Sequence, residues 1–169
     1  MHRSALFILA AALAGPLAAQ TNPAIAEAKQ MYEGVKTNLI KAAEKMPEGD
    51  YSYKPTPEQQ TFAQRIAHVA GQLRTCALVA GEQKSVESPK LEKVALVSAL
   101  KQSFDECDAA WAAMNDKTAV EMIPVRGGQR SKLGALIGNT NHDSELYGYI
   151  SVYLRLKGQV PPSSEHGRM

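Results

Sequence analysis

Apolar residues recur along most of the chain at alternating spacings of three and four, the pattern of helices that bury one face. Between about Pro57 and Ala80 the recurring positions are Phe62, Ile66, Val69, Leu73, Cys76 and Ala80. Between about Pro89 and Asn115 they are Val97, Leu100, Phe104, Cys107, Trp111 and Met114. Two further spans read as helices, from about Pro23 to Met46 and from about Ser131 to Lys157. Thr56-Pro57 and Ser88-Pro89 each set a capping hydroxyl before a first-turn proline. Pro47-Glu48-Gly49-Asp50 ends the first helix, and Gly158 is a C-terminal signal for the fourth. Tyr51 to Pro57 is an extended, proline-fixed connection. Asp116 to Arg130 reads as irregular, with Pro124 and Gly127-Gly128 as breakers and a short extended piece at Val120 to Val125. No alternating pattern is long enough to build a sheet. The expected class is all-α, a four-helix bundle.

The fourth helix departs from a simple amphipathic plan. At about 100° per residue, Leu133, Leu136, Ile137, Tyr147 and Leu154 share one face with Thr140, Ser144 and Ser151, and this is the expected core stripe. His142, Leu146, Tyr149, Tyr153 and Leu156 form a second stripe nearly opposite, where a surface helix carries charge. Something must cover that stripe: a loop, the N-terminal segment, a small-molecule ligand or a second copy in a homodimer.

Length and charge narrow the class. The 169 residues suit one domain, and 19 cationic against 17 anionic side chains give a net charge of +2. That balance makes no basic field for nucleic acid. Residues 1–19 read as a signal peptide. His2-Arg3 is a cationic start, Ala5 to Ala14 an unbroken apolar run, Gly15-Pro16 a breaker, and Leu17-Ala18-Ala19 a small-residue cleavage site. The run is shorter than the about 20 apolar residues that span a bilayer, and no later segment is apolar enough to do so. The chain is therefore expected to be exported, periplasmic or extracellular, with a helical domain at 23–158 and a flexible tail at 159–169. In such a compartment disulfides persist.

The two cysteines both lie on core stripes, either as buried thiols or as a bond. In an antiparallel hairpin they would sit roughly 18 Å out of register at about 1.5 Å per residue. A disulfide needs Cα atoms within about 7 Å. Parallel helices, joined by a crossover at Gly81 to Pro89, would place Cys76 and Cys107 level. The histidines are His2, His68, His142 and His166. His2 leaves with the signal, and His166 lies in the tail. Taken from spacing alone, His68 lies off the buried stripe of its helix and reads as solvated.

Three stretches resemble the DinB/YfiT-like superfamily of helical bundles. They are Met46 to Pro57 (MPEGDYSYKPTP), Ile66-Ala67-His68-Val69-Ala70, and His142 to Gly148 (HDSELYG) followed by Tyr153 to Gly158 and Val160 to Ser164. The resemblance implies a four-helix bundle with a crossover between helices two and three, in agreement with the parallel register. It also implies a divalent metal, zinc or nickel, held by one histidine of helix two and an H-x-x-x-H pair on helix four. Residues four apart share a helix face, so two imidazoles can converge on one ion. Three protein ligands leave a position open for water. His68 and His142 match two of these ligands. The third position is Leu146, which has no donor atom.

Three readings follow. In the first, the site is degenerate and the chain is a bundle without metal chemistry, since two imidazoles alone hold metal weakly. In the second, Glu145, three residues after His142, completes the site, with Asp143 and His166 as other substitutes. The chain would then be a metal-dependent enzyme, a hydrolase or thiol transferase. In the third, His68 or His142 is a general base. Arg126-Gly127-Gly128-Gln129-Arg130 lacks the lysine-hydroxyl ending and the preceding buried strand of a phosphate loop.

Overall fold

The computed structural model describes residues 22–82 and 89–165. The expected signal at 1–19, His2, the Ser88 cap and His166 lie outside the described residues. Six helices and one hairpin make the fold: α1 (Pro23–Lys45), α2 (Phe62–Ala70), α3 (Leu73–Ala80), α4 (Lys93–Ala112), α5 (Asp116–Ala119), β1 (Met122–Val125), β2 (Gly128–Ser131) and α6 (Lys132–Leu156). The sequence-expected helix two is the pair α2–α3, broken at Gly71-Gln72. Helices three and four are α4 and α6.

The local start and stop signals explain most boundaries. Asn22 caps α1, its Oδ1 accepting from the Ala24 N–H at 3.0 Å. Helix two begins at Phe62 and not at Pro57. The Phe62 and Ala63 N–H groups donate to the Tyr53 and Tyr51 carbonyls at 2.9 Å each. Thr61 and Gln64 close a reciprocal capping box, at 3.1 Å to the Thr61 hydroxyl and 2.8 Å to the Gln64 carbonyl. The extended connection thus satisfies two amides that every helix start leaves open. Likewise α4 begins at Lys93 and not at Pro89. The Lys93 ammonium donates to the Glu44 and Met46 carbonyls at 2.8 Å each, closing the C-terminus of α1. Ser131 caps α6 through Gly134 N–H at 3.1 Å, and Gly158 follows α6 at φ 71°, a conformation that favours glycine.

The extended piece expected at Val120 to Val125 is β1, and the rest of the region read as irregular is ordered as well. The region holds α5 and an antiparallel hairpin that pairs Met122 with Ser131 and Val125 with Gly128. The strands are too short and too exposed for an alternation signal, and Gly127 takes φ 89° in the two-residue turn. Residues 159–165, read from the sequence as the start of a flexible tail, fold back onto the bundle. Pro161 and Pro162 are buried. The Ser163 N–H donates to Tyr147 Oη at 2.9 Å, Arg155 donates to Ser164 at 2.9 Å, and Lys45 pairs with Glu165.

The long helices form a four-membered bundle, α2–α3 counting as one. Tyr32 on α1 reaches Asp108 on α4, and Glu44 reaches Lys101 at 2.6 Å, so α1 and α4 are antiparallel. Tyr153 donates to the Gln60 carbonyl at 2.6 Å near one end, His68 meets His142 further along, and Thr75 and Ala135 line one cleft beyond, so α6 opposes α2–α3. Cys76 and Cys107 are bonded, with Cα atoms 5.0 Å apart. Each lies fourteen residues beyond the first residue of its helix, Phe62 or Lys93, so α2–α3 and α4 run parallel. The crossover and the bond are both present, and the buried-thiol alternative is excluded.

The core is aliphatic with an aromatic centre, in which Tyr32 stacks on Trp111 at 5.6 Å. On α6 the buried face is Leu136, Asn139, Thr140, Asp143, Leu146, Ile150, Tyr153 and Leu154. This differs from the expected core stripe. Ile137 is 38% exposed, Ser144 is exposed, and Leu133, Tyr147 and Ser151 are only partly buried. The expected second stripe is split: Leu146 and Tyr153 enter the core, whereas Tyr149 and Leu156 face outward. Two buried polar residues, Asn139 and Asp143, occupy the middle of the true face. A search for apolar periodicity excluded them and so rotated the assigned axis. Among the described residues no helix is long and apolar enough to cross a membrane.

Candidate functional site

The break at Gly71-Gln72 leaves the last turn of α2 against the middle of α6. There His68, on the exposed side of α2, meets His142, half-buried on α6. Their Nε2 atoms are 3.0 Å apart, with the rings tilted by 65°. That separation is a hydrogen-bond distance, with donor and acceptor set by the tautomers of the two rings. Burial first, then the facing His142 and Arg65, lower the pKa of His68 below the ordinary histidine value. The two residues singled out from the sequence are therefore brought together.

Glu145 is placed differently from expectation. Its Oε2 lies 3.4 Å from Nδ1 of His142, the ring nitrogen remote from His68. Its Oε1 accepts from the Tyr149 hydroxyl at 3.2 Å, and the Arg65 guanidinium stands 4.8 Å over the Tyr149 ring. A carboxylate on the Nδ1 side favours a proton there and leaves Nε2 toward the partner, the placement that outer carboxylates take around metal-binding histidines. It does not supply a third donor on the Nε2 side. Leu146, at the missing ligand position, is 3% exposed and belongs to the core. Asp143 is 1% exposed, faces the bundle interior and accepts from Asn139 Nδ2 at 3.0 Å. Among the described residues no group of three His, Cys, Asp or Glu side chains converges on one point.

Two nitrogens 3.0 Å apart lie within the bite of one ion bonded to each at about 2.0–2.1 Å. The remaining donor set does not fit a resident three-ligand centre. Two imidazole nitrogens face each other, and Leu146, at the position the resemblance assigns to a third ligand, presents an alkyl group.

A cleft of about 300 Å³ opens beside the pair, between the hairpin turn, the α2–α3 junction and the first half of α6. His142 stands in its wall with Asn139 and two hairpin arginines, Arg126 and Arg130. Sequence reasoning set the arginines aside because it tested them only against a phosphate-loop pattern. It missed Asn139 because a polar residue in mid-helix carries no periodic signal.

Known structures share this architecture. A DinB-like protein from Bacillus cereus superposes with a TM-score of 0.70 at 15% identity, over 82% of this chain and 95% of that one. A DinB-like protein from Bacillus subtilis superposes with a TM-score of 0.64 at 16% identity, over 79% of this chain and 94% of that one. The fold is therefore DinB-like, as the sequence stretches indicated. No family model matches the chain, and no curated protein matches it.

Proposed function

We propose that the chain is an exported DinB-like bundle in which the three-histidine metal centre has degenerated to two imidazoles, and that it binds its target without metal catalysis. One observation carries this reading: the buried Leu146 side chain stands where the third donor would be, while Glu145 engages the far side of His142. Two neutral imidazoles leave most of an ion's coordination to water, so an ion bound there exchanges readily and is lost as the imidazoles protonate. Export is supported by the cationic start, apolar run and small-residue site in residues 1–19, and by a disulfide in the folded domain.

The test is bound-metal quantification after equilibration with zinc or nickel and gel filtration, on wild type, His142→Ala, Glu145→Ala and Leu146→His. The expected result is no stoichiometric metal in wild type and about one ion per chain in Leu146→His, where a third imidazole completes the set. Leu146→His buries a polar ring, so its far-UV circular dichroism is recorded alongside. Stoichiometric metal in wild type that is lost in His142→Ala would overturn the reading. Loss in Glu145→Ala as well would establish the metal-dependent alternative.

A further inference from the structure

The cleft beside the histidines carries chemistry that the imidazole pair does not use. Arg126 and Arg130 enter it from the hairpin, Gln72 and Thr75 from the α2–α3 side, and Asn139 and His142 from α6. No carboxylate lines it. Among the described residues neither arginine is paired with an acid; the acidic groups nearest in sequence on either side are engaged elsewhere, Glu121 with Lys132 and the buried Asp143 with Asn139. Two unpaired guanidinium groups at one end of a recess make a positive field, which low-dielectric walls focus.

Two independent features show that this arrangement is built into the fold. The Arg130 side chain lies against α6 where another side chain would stand. Its Nη1 is 2.5 Å from the position a Cβ would occupy at Gly138, so the guanidinium rests in the space the glycine leaves. Asn139, in the same wall, is 8% exposed. Its amide nitrogen is spent on Asp143, and its Oδ1 has no partner. A buried acceptor without a partner is costly, and the residue that carries it also lines the cleft.

We infer that the cleft binds a small organic anion. Its carboxylate or phosphate is held by Arg126 and Arg130, and a hydroxyl, amine or amide N–H of the same molecule donates to Asn139 Oδ1 after a side-chain shift that uncovers this enclosed oxygen. Guanidinium forks match both anions through paired N–H donors. The volume suits a compact metabolite rather than a polymer. The inference does not depend on the metal reading, because none of these contacts uses the Nε2 atoms.

Isothermal titration calorimetry on the disulfide-bonded protein in EDTA tests it with three probes: inorganic phosphate, glycolate and acetate. Saturable binding of phosphate or glycolate is expected, and it identifies which anion is preferred. Acetate has the carboxylate without a donor for Asn139 and is expected to bind more weakly than glycolate. Arg130→Gln and Arg126→Gln should each weaken binding by about tenfold or more. Arg130→Gln is the decisive variant. The side chain is exposed on the hairpin, so the protein stays folded while the guanidinium is removed. Lys41→Gln, an exposed position on α1 away from the cleft, removes the same charge and should leave binding unchanged. The inference is overturned by no saturable heat from any probe, by undiminished binding in Arg130→Gln, or by an equal loss in Lys41→Gln. Binding that appears only when zinc replaces EDTA would also overturn it, by moving the anion to the imidazole pair.

Discussion

Asp143→Asn reads the energetics of the polar patch inside α6. Burial pushes the carboxyl of Asp143 up to about 8 from an ordinary value of 3.8. Between those two values the folded state holds a proton that the unfolded state has released. Stability is then fullest below the unfolded pKa and falls as pH rises toward the folded one. Each pH unit inside the window costs about 1.4 kcal/mol, so moving from about pH 5 to about pH 8 costs the wild type roughly 4 kcal/mol. The Asn139 N–H donates to Oδ2 and favours the ionised form, which brings the expected loss to roughly 2–4 kcal/mol. Asparagine keeps the shape and does not titrate. Other groups do. His68, whose pKa is lowered, acts with the opposite sign and adds stability as pH rises through the ordinary histidine range. Comparing wild type with variant at each pH cancels these contributions. The assay is urea unfolding of both proteins, near pH 5 and near pH 8. With a slope of about 1–3 kcal/mol per molar urea, the wild-type midpoint should fall relative to the variant by about 1–2 M. A gap between the two proteins that is equal at both pH values would refute the reasoning.

Two further substitutions probe the scaffold. Replacing Cys76 and Cys107 together by serine releases a crosslink between residues 31 apart; the expected loss is about 3–4 kcal/mol on the chain-entropy account. A thermal scan should show it as a fall of roughly 7–15 °C, reproduced in wild type by reductant, and an unchanged midpoint would show that packing alone aligns α3 with α4. Tyr32→Phe removes a hydroxyl that donates to Asp108 at 2.8 Å and to the Phe104 carbonyl at 3.1 Å, for an expected loss of about 1–2 kcal/mol by chemical denaturation. Burial and Asp108 hold that phenol far above the ordinary tyrosine range, so the loss should not vary with pH below about 9.

The bundle was legible because helices two and three carry strictly apolar stripes, and because level cysteines are compatible with only one helix direction. The histidine pair was legible as well, but through the resemblance. Spacing alone put His68 on a solvated face, where it does sit. The extended piece at Val120 to Val125 anticipated β1, but its pairing with β2 escaped because MIPV is apolar throughout and GQRS polar, so neither strand alternates in sequence. The start of helix two escaped because a Thr-Pro pair looks like a cap, while the real cap depends on the Tyr51 and Tyr53 carbonyls folding over the first turn. Glu145 was rightly placed near His142 by its spacing of three. Spacing could not say which ring nitrogen it would face, and that choice separates a ligand from an orienting group.

The α6 result bears on function most directly. Asn139 and Asp143 lie on the inward face, four apart, between Leu136 on one side and Leu146 and Ile150 on the other. A helix selected only for packing would carry apolar residues at both positions, since buried polar atoms without partners cost stability. One oxygen of each residue has no partner among the described residues. Asn139 also walls the arginine cleft, and the next residue on that side is His142. The polar interior, the cleft and the imidazole pair are therefore one continuous strip of α6. The disulfide steadies α3 against α4 on the far side, so the α2–α3 junction that forms the cleft's opposite wall stays in place. The substitutions that most alter ligand binding should then fall on α6 between Gly138 and His142 and on the hairpin arginines. Matched changes on the α1–α4 side, such as Tyr32→Phe, should lower stability and leave binding intact.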